Sequence, residues 1–150
     1  MPLSQETQDA VRELWTIGTN LGRPPEPSPE VDPWEDADPV DEPRDEAIVV
    51  FSGLPCVEVR VFGDGEDTVT IEQCVDFETP RRETFALVDA ILAGDARISP
   101  LGGRFRFVRD WLQPFYGLQL VVPVAGREPY RQRVPYVPLQ RWLETVPTGP

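Results

Sequence analysis

Apolar and polar positions alternate twice in close succession between Val57 and Ile71, and a helical spacing takes over soon afterwards. Val57, Val59 and Val61 alternate with Glu58, Arg60 and Phe62; Val69 and Ile71 alternate with Thr68, Thr70 and Glu72. Period two with a single apolar face predicts two half-buried strands. The stretch Gly63-Asp64-Gly65-Glu66-Asp67 between them supplies turn residues and glycines that tolerate positive φ, so an antiparallel hairpin is expected. Two registers keep every side chain on its own face. Centring on Gly65 sets Glu58 against Glu72 and Cys56 against Cys74, whereas a slip of two residues sets Arg60 against Glu72 and is favoured because it removes a like-charge pair.

Phe85, Val88, Ile91 and Leu92 then recur at helical spacing, widened by Leu87. Thr79-Pro80 reads as an N-cap and first helical residue, and Gly94 as the stop, which places a central helix over about 80–93. Its apolar stripe needs a sheet face to cover, and the valine face of the hairpin is the nearest.

Upstream, Ser4 can cap a helix in which Ala10, Val11, Leu14, Ile17 and Leu21 share a face, stopped by Gly22. This predicts an amphipathic helix within residues 1–22, free to dock on the domain or on a partner. Residues 23–46 hold seven prolines and ten acids, too little apolar surface to offset ordering entropy, so a disordered acidic linker is expected, with Trp34 a candidate docking residue on it. The run Ala47-Ile48-Val49-Val50-Phe51 reads as a buried strand. After the central helix come a short edge strand over 96–101, a strand over 104–109 with Phe105 and Phe107 inward, an aromatic turn, a strand over 117–124, and a helical turn or two between Pro138 and Thr145. The fold class expected is α+β: one mainly antiparallel sheet of about 5–6 strands with the helix on one face, a single domain over 47–146 and a disordered tail at 147–150.

Composition narrows the chemistry. The 150 residues contain no His, and their 14 basic residues are all Arg. The chain therefore cannot by itself supply a Ser-His-Asp triad, a Cys-His pair, a lysine Schiff base or an imidazole metal site. The strictly arginine basic set fits a GC-rich genome. Two cysteines, Cys56 and Cys74, are too few for a zinc site and are expected reduced, with a cross-strand disulfide as the alternative. Glu72, Asp76, Glu78 and Glu83 gather in sequence around the strand-to-helix connection, a set that could bind a hard divalent cation or act as an acid/base pair, although acids there also serve simply to favour a helix N-terminus. The turn Gly63–Asp67 misses the calcium-loop pattern. No cofactor, no metal and no enzymatic activity is expected. No apolar run nears the roughly 18 residues of a membrane helix, and Met1–Thr7 lacks the basic head and apolar core of an export signal, so a cytoplasmic protein with no membrane role is expected.

Charge is polarised along the chain. Residues 1–46 carry 13 acids and three Arg, residues 48–96 ten acids and three Arg, and residues 97–150 three acids and eight Arg, within a total of −12. Arg104, Arg106 and Arg109 interleave with aromatics, followed by Arg131 and Arg133. With Trp34 they are the candidate contacts for another, acidic protein. The expectation is a non-enzymatic interaction module of immunity or inhibitor type. Two other readings stand beside it: single-stranded nucleic acid held by Arg and aromatic residues of 104–136, which the acidic total opposes, and an acidic DNA mimic.

Overall fold

The computed structural model describes residues 3–27, 45–100, 118–134 and 140–147; Trp34, most of the expected linker and the expected strand over 104–109 lie outside them. The elements are α1 (Gln5–Asn20), β1 (Glu46–Phe51), β2 (Val57–Phe62), β3 (Glu66–Ile71), β4 (Val75–Pro80), α2 (Arg81–Leu92), β5 (Arg97–Pro100), β6 (Leu118–Val122), β7 (Tyr130–Arg133) and the single-turn α3 (Gln140–Leu143). The class is α+β. The strands form two antiparallel sheets, ordered β1-β2-β3-β4 and β5-β6-β7, where one sheet was expected. The division follows from β4, which takes the place beside β3 and ends in Pro80; the later strands pair among themselves and join the same core through Ile98, Leu120 and Val122.

The start of α1 and the ends of both long helices have reasons visible in the sequence. The Ser4 hydroxyl accepts the Thr7 N–H at 3.2 Å, an N-cap. At the other end Gly22, at φ 73°, donates to the Thr19 carbonyl while Arg23 N donates to the Gly18 carbonyl, the paired bonds of a Schellman ending. α2 ends the same way, with Gly94 at φ 83° bonded to Ile91 and Asp95 bonded to Ala90. α1 is part of the core: Leu14 is fully buried and Ala10 nearly so. Gly18 is what lets α1 approach β1, since a Cβ there would lie 2.5 Å from the Arg23 carbonyl and 2.6 Å from the Phe51 ring.

Four expectations are corrected. The β2–β3 register pairs Val57 with Ile71, Val59 with Val69 and Arg60 with Thr68, so neither anticipated register holds and Arg60 does not face Glu72. The loop is only Gly63-Asp64-Gly65, closed by Gly65 N on the Phe62 carbonyl with Gly65 at φ 84°, and Glu66 already belongs to β3. Second, Thr79 does not cap α2: Val75, Phe77 and Thr79 point inward along β4, and pairing with β3 keeps the chain extended through Pro80. Proline is tolerated there because β4 is an edge. Third, β1 is an edge strand, with Ile48 48% exposed, and not a fully buried one. Fourth, order persists beyond residue 23 of the expected linker: Glu26 N donates to the Val50 carbonyl at 2.7 Å, extending cover along β1.

Asp67, expected to be a turn acid, is instead the polar centre of the fold. Its side chain is fully buried and accepts from Phe62 N at 3.2 Å, from Arg81 Nε and Nη2 at 2.7 and 2.8 Å, and from Thr84 Oγ1 at 2.9 Å. Thr79 and Thr84 hydroxyls meet at 2.7 Å beside it. A buried carboxylate survives only when its lone pairs are satisfied, and this set ties the hairpin loop to the start of α2.

Candidate partner-binding surface

Of the sequence-predicted contacts, Arg131 and Arg133 fall within the described residues, on β7; Trp34, Arg104, Arg106 and Arg109 do not. Ile98, Leu120, Val122 and Tyr130 share the inner face of the second sheet, and the Tyr130 ring stands edge-on to Phe77 of the first sheet at 5.9 Å. Alternation therefore turns Arg131 and Arg133 outward, and both are exposed. The register adds a residue the sequence reading missed. Arg97 opposes Val121, which in turn opposes Arg131, and the neighbouring row runs Ser99, Gln119, Arg133. Three arginines thus share one face, Arg97 and Arg131 about 10 Å apart across two strand spacings and Arg131 and Arg133 roughly 7 Å apart along β7.

Among the described residues these guanidiniums make few bonds. Arg97 Nη1 donates to the carbonyls of Gly94 and Ala96, at 3.1 and 2.9 Å, and Arg131 Nη1 reaches Gln119 Oε1 at 3.4 Å. Among the described residues no carboxylate lies within 4.0 Å of any of the three. Arg127 contrasts with them. It lies 3.8 Å over the Tyr130 ring and bonds both the Tyr130 hydroxyl and Glu83 of α2, while the Tyr130 hydroxyl donates to the same carboxylate. Burial, then the bond to Glu83, pushes the Tyr130 pKa up to about 12, and the Tyr130 bond holds Glu83 below the usual carboxylate range. That trio clamps the second sheet onto α2, so Arg127 and Tyr130, two candidates for nucleic-acid stacking, are engaged internally.

The four acids that gather in sequence do not gather in space. Glu72 occupies the β3–β4 turn and accepts Cys56 N at 2.7 Å; Asp76 accepts the Thr70 hydroxyl at 2.8 Å on the outer face of β4; Glu78 is exposed one row away; Glu83 is in the clamp. Among the described residues no group of three or more His, Cys, Asp or Glu is placed to hold a metal ion. Cys56 and Cys74 are free thiols, and burial, with Glu72 nearby, raises both pKa values, so neither is an activated nucleophile. Among the described residues no helix is long and apolar enough to cross a membrane.

No protein-family model, curated protein or solved structure matches the chain significantly.

Proposed function

We propose that the chain is a non-enzymatic interaction module, cytoplasmic and of immunity or inhibitor type, that engages an acidic surface on another protein through the outer face of β5–β7. The observation that carries this reading is the set Arg97, Arg131 and Arg133, exposed or half-exposed and lacking carboxylate partners among the described residues, on a chain whose net charge is −12. A basic face on an acidic body disfavours indiscriminate polyanions while steering one complementary partner into register. Arg104, Arg106 and Arg109 extend the basic set and Trp34 supplies an aromatic anchor on the acidic arm. The working mode is occlusion of the partner's surface, which asks for no catalytic group.

The test is the salt dependence of binding to the purified partner, for the natural chain and for Arg131→Glu/Arg133→Glu. The double reversal is expected to weaken binding by about tenfold or more, mainly through slower association, and to flatten the salt dependence. Unchanged affinity and slope sink the assignment. A steep salt slope on single-stranded DNA or RNA of any sequence transfers the same arginines to nucleic acid.

A further inference from the structure

Apart from the arginine face, the fold encloses an apolar pocket with one cation at its rim. A cavity of about 210 Å³ opens between the β1–β2 loop, the C-terminal end of α2 and the turn that follows α3. Leu54, Ile91, Leu92, Trp142 and Val146 are its main apolar lining, and among the described residues Arg23 is the one charged side chain in it. Trp142 is 5% exposed and Ile91 1%, so the walls are fixed by the core, whereas Leu54 at 51% exposed leaves the mouth open.

Backbone carbonyls hold Arg23 in place. Its Nη2 donates to the carbonyls of Ser52 and Pro55 at 2.9 and 2.6 Å. Gly53, at φ 118°, lies against the guanidinium, where a Cβ would come within 3.0 Å of Nη2. A glycine thus lets the cation lie flat on the loop beside the pocket. Among the described residues no carboxylate pairs with it within 4.0 Å. Desolvation lowers its pKa, and Cys56 and Glu72 only partly offset this, so the site holds a partly dehydrated positive charge that an anion would complete. With Nη2 spent on two backbone carbonyls, and Nε–H and Nη1–H pointing to opposite sides of the guanidinium, a carboxylate would take a single charge-assisted N–H bond here.

We propose that this pocket binds a small monocarboxylic acid with a short apolar body, its tail against Trp142 and Leu92 and its carboxylate on Arg23. The volume is below that of sites for drug-sized ligands, which sets the class to short aliphatic or single-ring acids. The inference is independent of the arginine-face reading, since the two sites share no residue.

The experiment is a nuclear magnetic resonance titration of the full chain with hexanoate and, separately, with hexanamide, which has the same tail and no charge. Hexanoate is expected to shift the Trp142 indole N–H and the methyls of Leu54, Leu92 and Val146 saturably at millimolar concentration, with hexanamide at least about tenfold weaker. Arg23→Lys should retain binding and Arg23→Met should lose it, by about the same factor. Because Arg23 also ties two backbone carbonyls, the Arg23→Met spectrum first has to show the dispersed Val59 and Ile71 methyls of an intact core. Should that variant unfold, the acid-against-amide comparison on the natural chain decides alone. Equal binding of acid and amide, shifts scattered away from the pocket, or no saturable shift overturns the proposal.

Discussion

Replacing Asp67 with Ala removes the acceptor for four donors at once: Phe62 N–H, Arg81 Nε and Nη2, and the Thr84 hydroxyl. What remains is a guanidinium whose side chain is 19% exposed, held among the described residues only by the Phe62 carbonyl, beside a Phe62 N–H that has lost its acceptor, while the Thr84 hydroxyl falls back on Thr79 and the Pro80 carbonyl. Removing one member of a buried pair costs about 3–5 kcal/mol, and water reaching the exposed part of Arg81 trims this toward the lower value, so we expect about 3 kcal/mol. For a domain of ordinary stability that is a large share of the total. Urea denaturation followed by far-ultraviolet circular dichroism reads it directly as a lower midpoint at unchanged slope. In the double variant Asp67→Ala/Arg81→Met the stranded charge is gone, and the loss should fall short of the sum of the singles by about 2 kcal/mol. A cost below about 1 kcal/mol for Asp67→Ala, or strict additivity, refutes the claim that this pair joins the hairpin to α2.

Further outcomes follow from the same geometry. Gly18→Ala gains helix propensity of about 1 kcal/mol but drives a Cβ into the Arg23 carbonyl and Phe51, so thermal denaturation should show a net loss of about 1–3 kcal/mol. Gln73 is exposed at φ 60°, a conformation unfavourable for a residue with a Cβ; Gln73→Gly should raise the denaturation midpoint, by about 1 kcal/mol in stability. Tyr130 has its folded pKa raised from 10.0 to about 12, so its contribution is complete below pH 10 and is lost as pH climbs through the folded value. Ultraviolet difference titration should show one tyrosine ionising late, and Glu83→Gln should bring it back toward 10.0.

Local signals in the sequence are enough to find α1, α2, their glycine endings, the β2–β3 hairpin and the α+β class. What they leave open is fixed by contacts between distant residues. A two-residue slip of the hairpin preserves both faces, so the pattern cannot select a register; the choice is made by Asp67, which is drawn from the turn into the core by Arg81, 14 residues on. β4 does carry a legible alternation, Val75, Phe77, Thr79, but Thr79-Pro80 is also a strong helix-start signal, and pairing with β3 overrides it. β7 reads Tyr-Arg-Gln-Arg, with no apolar rhythm at all, and is made a strand by β6. Arg97 escaped notice for the same reason: only the β5–β6–β7 register places it in a row with Arg131.

The most direct test of the arginine face compares tagged natural chain with Arg131→Glu/Arg133→Glu in parallel affinity captures from nuclease-treated host lysate at moderate salt, with circular dichroism confirming that both are folded. The expected result is one near-stoichiometric acidic protein on the natural chain, depleted on the variant and restored when the partner's facing acids are reversed. The same protein recovered equally on both would contradict the account.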